Sequence, residues 1–117
     1  MRRQKTFKIG VLAESYRNYV LNGTDRNGSV SGNDPTVTVN KGDTIIFNVK
    51  ASRHPFYVKT EISRGSGKQV ITGKLSGTPG TQNGTLAWNT TGVLGGTYFY
   101  VCSPHASFGM GGSIIVE

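Results

Sequence analysis

The residues best suited to chemistry lie in a short segment near the carboxyl end of the chain. Cys102 is followed three positions later by His105 and, after five more positions, by Met110. A second histidine, His54, lies 48 positions before the cysteine. One thiolate, two imidazoles and a weak thioether suit copper, because soft sulfur favours Cu(I) and imidazole also suits Cu(II). These residues therefore predict a site for one copper ion that changes its oxidation state.

The scarcity of these residue types elsewhere in the chain supports that interpretation. Taken singly, a histidine is usually a surface or core residue, and a methionine or an isolated cysteine usually fills the core. The chain, however, contains only two histidines, one cysteine and one methionine besides Met1. All four side chains can be assigned to one site. Separate structural roles for the four residues would not explain this.

Other chemistries of the same residues remain open as secondary interpretations. Structural zinc requires four cysteine or histidine ligands, and only three are present. Catalytic zinc could use the three with a water molecule, but no Asp or Glu lies close in sequence to either histidine to act as a general base. A cysteine nucleophile with a histidine base is also conceivable, but it leaves Met110 and the second histidine without a role.

Short strands must position these residues, since runs of Val, Ile, Thr, Tyr and Phe alternate with Gly, Asn, Asp and Pro. About eight strands are predicted, at residues 6–13, 16–21, 36–40, 44–49, 54–60, 85–89, 97–102 and 113–117. Residues 22–35 and 63–84 are predicted to be loops, the second with a short strand at 69–72. Alternation along 97–102 places Tyr98, Tyr100 and Cys102 on the inner face. The pattern predicts an all-β sandwich and a single domain spanning residues 1–117.

The ligand segment and its flanks resemble a known family. Residues 96–105, then Gly109 and Met110, then residues 112–116, are similar to the carboxyl-terminal signature of plastocyanins and related cupredoxins. The resemblance is strong over residues 36–117 and weak over the first 35. It implies a Greek-key β-sandwich with copper held between loops at one end.

The resemblance also implies a role for each ligand. His54 and His105 would be the imidazole ligands, Cys102 the thiolate and Met110 the axial ligand of one type 1 (blue) copper site. The implied function is one-electron transfer between protein partners by a Cu(I)/Cu(II) cycle. No substrate is turned over in such a cycle, so the chain is not expected to be an enzyme.

Near the sulfur, the chain departs from the plastocyanin pattern. Plastocyanins have an asparagine after the first ligand histidine, and its backbone N–H points at the copper-bound sulfur. Pro55 occupies that position here, and Pro104 follows the cysteine closely; proline has no N–H. We therefore expect fewer hydrogen bonds to the sulfur and a lower reduction potential than in plastocyanins.

A second departure affects docking. Val101 stands where plastocyanins carry an exposed tyrosine that passes electrons at an acidic patch. Docking of that kind is not expected in this chain. The predicted route for electrons is instead the exposed edge of His105, ringed by Pro55, Pro104 and Phe108. The alternative for Phe108 is a buried packing role.

Composition narrows the classes of partner. The net charge is +7 and the isoelectric point is near 9.9, so a docking partner is expected to be acidic. A nucleic-acid site is not expected, because the aromatic-rich residues 98–100 have no basic residue beside them. No apolar run approaches the roughly 20 residues of a membrane span. The chain is expected to be a monomer.

Two questions stay open at the level of sequence. The basic start, Met1 to Lys5, is not followed by the apolar stretch of a signal peptide. Either the protein stays where it is made, or it is periplasmic, lumenal or extracellular and is represented by its mature form. The functional alternative to electron transfer is a β-sandwich that stores copper, or that binds none and serves as a binding or structural module.

Overall fold

Regular structure in residues 4–117, which the computed structural model describes, consists almost entirely of β-strands. The first three residues of the basic amino terminus lie outside the described residues. Ten strands are present: β1 Thr6–Ala13, β2 Tyr19–Asp25, β3 Gly28–Asn33, β4 Val37–Val39, β5 Thr44–Lys50, β6 Phe56–Lys59, β7 Lys74–Gly77, β8 Asn83–Asn89, β9 Gly96–Cys102 and β10 Gly111–Val116. A 3-10 helix, Ala106–Phe108, lies between β9 and β10.

The strands form two sheets. One has six strands in the order β3-β2-β1-β5-β8-β7, and the other has four in the order β4-β10-β9-β6. The β1–β5 and β4–β10 pairs are parallel, and the remaining pairs are antiparallel. The chain passes from one sheet to the other after β3, β4, β5, β6 and β8. The predicted all-β Greek-key sandwich is confirmed, with ten strands in the described part rather than about eight.

The core lies between the two sheets and follows from strand alternation. Along β1, Phe7, Ile9 and Val11 are buried while the residues between them are not, because successive side chains point to opposite faces. Toward one end of the sandwich the core is aromatic. Tyr19, Phe47, Phe56 and Tyr100 pack there with neighbouring ring centroids 4.9–6.3 Å apart. This aromatic cluster supports the end of the fold that carries Cys102.

The prediction of a loop over residues 22–35 is wrong. β2 continues to Asp25, and β3 returns beside it as an antiparallel hairpin. Its Gly, Asn and Ser residues carry little strand propensity, but the register places Leu21 and Val30 toward the core. Gly23 is needed for the pairing with β1, because a Cβ there would lie 2.3 Å from the carbonyl oxygen of Lys8. Tertiary pairing therefore outweighs local propensity in this segment.

The second long loop also needs correction. A four-residue strand, β7, lies at Lys74–Gly77 and pairs with β8. Residues 69–72 form no strand; Gln69 makes only an isolated bridge to Lys59. In β7 only Leu75 packs against the core, so the segment lacks the apolar alternation by which a strand is recognised.

Within residues 4–117, no helix has both the length and the apolar character that spanning a bilayer requires.

Candidate metal centre

Cys102 is the last residue of β9, and neighbouring strands hold it on both sides. It pairs with Phe56 of β6, and its N–H donates to the carbonyl oxygen of Met110 at 3.1 Å. The Cys102 side chain is fully buried. Because β9 is an inner strand of its sheet, the position of the sulfur depends on both β6 and β10.

The loop after Cys102 is short and closed by its own backbone. The carbonyl oxygen of His105 accepts hydrogen bonds from the N–H groups of Phe108 at 2.9 Å and Met110 at 3.4 Å. Gly109 ends the 3-10 helix with φ of 81°, a left-handed conformation that favours glycine. The turn returns the chain to β10 and leaves Met110 fully buried beside Cys102.

His54 reaches the site from a turn, not from the strand in which the sequence placed it. Its N–H donates to the carbonyl oxygen of Ala51 at 2.9 Å, and β6 begins only at Phe56. Pro55 accounts for this late start, because it has no N–H for the ladder. The Pro55 carbonyl oxygen instead accepts the N–H of Ser103 at 3.2 Å, which ties the His54 turn to the loop after Cys102.

These elements bring three of the predicted ligands together. The Cys102 Sγ lies 3.4 Å from Nδ1 of His105 and 3.6 Å from Nδ1 of His54. The possible ligand atoms of the three residues all lie within 4.8 Å of one another. The two imidazole rings are 5.0 Å apart between centroids. With the thioether of Met110 buried in the same loop, the donor set matches the soft and borderline ligands that copper prefers.

The electrostatics of the site favour the neutral imidazole of His54, which can bind a metal, and the protonated form of the free Cys102 thiol. Burial, with a further contribution from the nearby His105, lowers the pKa of His54, so its neutral, coordinating form predominates. Burial raises the pKa of the Cys102 thiol, while hydrogen bonds from the His105 N–H and the Tyr19 hydroxyl oppose that rise. The thiol therefore stays protonated, and so unreactive, until a metal cation replaces its proton.

One side of the site reaches the surface. His105 is partly exposed, and Phe108 is 55% exposed, so the alternative of a buried Phe108 is wrong. Pro104 is exposed and Pro55 partly so. Val101, by contrast, is fully buried, so the side chain at that position offers no surface for docking.

Two tyrosines near the site were not predicted to have functional roles. Tyr16 packs edge-on against Phe108 with 5.2 Å between ring centroids and lies 6.0 Å from His105. Tyr19 lies beneath the site, and its hydroxyl contacts the backbone of His54. In sequence both belong to a segment far from Cys102, and only the pairing of β2 into the sandwich brings them close.

Comparisons with known proteins agree with this geometry. The family model described as copper binding proteins, plastocyanin/azurin family, matches residues 19–117. Among solved structures, a rusticyanin from Thiobacillus ferrooxidans is 21% identical with a TM-score of 0.54, covering 99% of this chain and 79% of its own. A Sinorhizobium pseudoazurin is 21% identical with a TM-score of 0.53, covering 98% and 75%. A search of curated protein sequences found no match.

The family match extends further toward the amino terminus than the sequence resemblance did, because it includes β2 and β3. The solved structures share the fold over nearly the whole described chain. Together with the clustered imidazoles and thiol, these findings identify the cofactor as copper. The chain belongs to the plastocyanin/azurin family of copper-binding proteins, and its function is electron transfer at a type 1 copper site.

Proposed function

We propose that His54, Cys102, His105 and Met110 hold a single copper ion and that the protein carries one electron at a time between redox proteins. The observation behind this proposal is the convergence of one thiol and two imidazoles within 4.8 Å, with Met110 buried at the end of the same loop. Bound copper would supply a Cu(I)/Cu(II) couple, and the bond between Cu(II) and the thiolate would be strongly coloured. Every other property needed for electron transfer comes from the protein.

Backbone pairing and hydrogen bonds hold the elements that carry the proposed ligands. Cys102 is fixed between two strands, and the Ser103 to Pro55 hydrogen bond joins the two loops that carry the histidines. A fixed donor set limits the rearrangement that accompanies each change of charge, which favours rapid transfer. Burial of Cys102 and Met110 keeps water from the sulfur ligands.

The exposed surface around His105 is the proposed route by which electrons pass between the metal site and a partner. Phe108 and Tyr16, both substantially exposed, pack against each other beside the His105 ring. Arg17 lies over the Tyr16 ring at 5.4 Å and adds positive charge to the rim. We infer that an acidic redox partner docks here, since an apolar centre with a basic rim allows brief, specific contact.

A titration of the purified protein with Cu(II) tests the proposed function. We expect one copper per chain, an intense visible thiolate-to-copper band and a reversible one-electron wave in voltammetry. Zn(II), which undergoes no redox change, serves as the control and should give neither signal. Colourless copper binding would favour the storage role, and no binding at all would favour a structural or recognition module.

Truncation of Phe108, which packs beside His105, should slow electron transfer without changing the metal site. We expect Phe108→Ala to lower the second-order rate of oxidation by hexacyanoferrate(III) about tenfold, because it removes contact area at the docking centre. Stopped-flow absorption at the blue band measures this rate, and the spectrum itself should stay unchanged.

Leu94→Ala is the matched control for that experiment. Leu94 is 75% exposed and lies just before β9, whereas Cys102 ends that strand about 20 Å away. Its truncation removes a comparable apolar surface but should leave the rate unchanged. Equal rates for wild type and Phe108→Ala would show that electrons leave by another surface.

A further inference from the structure

The outward face of the six-stranded sheet, opposite the core, carries a depression with a volume of about 320 Å³. Its floor includes Gly10, in the middle of β1. A volume of this size lies at the lower end of the range for pockets that bind small molecules. The sheet depression, as we call it, is lined by residues of β1, β2 and β5, chiefly Gly10, Leu12, Val20, Asn22, Asn48 and Lys50.

The fold does not require the glycine at position 10. Glycine weakens a strand interior, since it loses more conformational freedom on folding and has no side chain to pack. Yet a Cβ at Gly10 would meet only the carbonyl oxygen of Asn22, at an ordinary contact distance of 3.5 Å, and φ is not positive. Gly23, in the adjacent strand, differs, because a Cβ there would lie 2.3 Å from the carbonyl oxygen of Lys8. A glycine that the backbone does not need often marks a place where a ligand approaches the strand closely.

Two side-chain amides flank Gly10. Gly10 pairs with Asn22 of β2 on one side and with Asn48 of β5 on the other, so the two asparagine Cα atoms are about 10 Å apart. The Thr85 hydroxyl donates to Oδ1 of Asn48 at 3.2 Å, which leaves the NH2 group of that amide to donate elsewhere. An amide offers the same C=O and N–H groups as a peptide bond. The pair is therefore suited to a peptide group lying over Gly10.

The next outward row of the sheet adds an apolar surface and a cation. Leu12 pairs with Val20 on one side and with Lys50 on the other. Leu12 is 52% exposed, Val20 is partly exposed and Lys50 is exposed. Within the part of the chain that the structure describes, no hydrogen bond or ion pair engages the Lys50 ammonium. An apolar group and a carboxylate can therefore be bound side by side in this row.

The charge of the outward face favours an anionic ligand. Lys8, Lys50 and Lys74 are exposed on it, and no Asp or Glu points outward from the six strands of this sheet. Glu14 follows only after β1 has ended. An anion on this face would meet attraction without repulsion from a neighbouring carboxylate.

We propose that the sheet depression binds the carboxyl-terminal residue of a short peptide whose last side chain is apolar. The terminal carboxylate pairs with Lys50, and the side chain packs on Leu12 and Val20. The last peptide group lies over Gly10, between the two asparagine amides. A carboxyl-terminal residue carries these three groups on one Cα atom, which matches their neighbouring positions in the sheet. The inference goes beyond electron transfer and does not depend on the metal site.

Acetyl-Gly-Leu with a free carboxylate is the probe that tests the proposal on the full chain. We expect saturable shifts of the backbone amide signals of residues 10–12 and 48–50 in NMR spectra, with a Kd of about 1 mM for so small a ligand. Acetyl-Gly-Leu-amide lacks the charge, and acetyl-Gly-Gly lacks the apolar side chain. Each should bind at least about tenfold more weakly.

Gly10→Val separates binding from folding. The valine side chain fills the depression, so affinity for acetyl-Gly-Leu should fall at least about tenfold. The urea midpoint should rise, because valine favours strand structure over glycine. Ala87→Val is the matched control, since Ala87 faces outward from β8 but does not line the depression. It should bind the probe as the wild type does.

Lys50→Gln provides a second test should Gly10→Val fail to fold. It should also weaken binding about tenfold, whereas Lys8→Gln, which changes the net charge equally on the same face, should not. Several results would overturn the proposal: no saturable shifts in the wild type, equal affinity for the amidated probe, or wild-type affinity in the Gly10 and Lys50 variants. Binding of oligogalacturonate in place of the peptide would assign the depression to an acidic sugar and would overturn it too.

Discussion

Cys102→Ser should abolish the intense blue absorption and weaken copper binding by at least about tenfold. A hydroxyl at the end of β9 cannot supply the thiolate whose charge transfer gives the band, and it is a poor ligand for Cu(I). The variant should keep its fold, because serine is close in size to cysteine and the backbone pairs of residue 102 with Phe56 and Met110 remain.

Titration with Cu(II), followed by visible absorption and by equilibrium dialysis, measures both effects. Ser103→Ala is the control, since it alters the neighbouring side chain and preserves the N–H that reaches Pro55. It should retain the band. A Cys102→Ser protein as blue as the wild type would show that the sulfur is not a ligand.

Asp43→Asn should lower the free energy of unfolding by roughly 3 kcal/mol, near the lower end of the range for breaking a buried ion pair. The Asp43 carboxylate is fully buried and accepts two hydrogen bonds from Arg26, at 2.8 and 2.9 Å. It also accepts the N–H groups of Lys5 and Asn40 at 2.9 and 2.8 Å. Asparagine removes the charge from this junction and replaces one acceptor oxygen with a donor group.

The loss should depend on pH. Burial by itself would raise the pKa of Asp43, but the hydrogen bonds from Arg26, Asn40 and Lys5 lower it below its ordinary value. A lowered pKa in the folded state stabilises the protein above the unfolded-state pKa of about 3.9, and this contribution is lost as pH falls through the folded-state value. The difference between wild type and Asp43→Asn should therefore be full near pH 7 and shrink in acid.

Urea denaturation at a series of pH values measures this dependence. Glu14→Gln serves as the control, because Glu14 is an exposed acid on the surface, and its effect should be small at every pH. A difference between wild type and Asp43→Asn that stays constant from neutral pH into acid would contradict the role given to the Asp43 charge.

The ligand types could be predicted from the sequence because the chemistry of the donors is local. Cys102, His105 and Met110 lie within nine positions, and copper is the metal that suits their mixture with His54. The strands with strong alternation were predicted for a related reason. β1, for example, has the predicted bounds of residues 6–13, because its buried positions are all apolar.

Segments whose conformation depends on partners could not be predicted in this way. The β2–β3 hairpin is rich in Gly, Asn and Ser, so its strand structure comes from pairing with β1 and not from its own propensity. β7 likewise exists through its pairing with β8. Of the exposed aromatic residues beside His105, Phe108 was predicted and Tyr16 was not, because Tyr16 reaches Phe108 across the fold.

The sequence by itself predicted the four proposed metal ligands and determined the two-sheet class of the fold, since both follow from residue types and their local spacing. Only the tertiary structure decided what surrounds the sulfur. Prolines at 55 and 104 predicted a sulfur with few hydrogen bonds, and the fold places Nδ1 of His105 and Nδ1 of His54 at 3.4 and 3.6 Å from it. The physical reason is that such contacts require proximity in space, and residues 54 and 102, 48 positions apart, meet only when the sandwich closes.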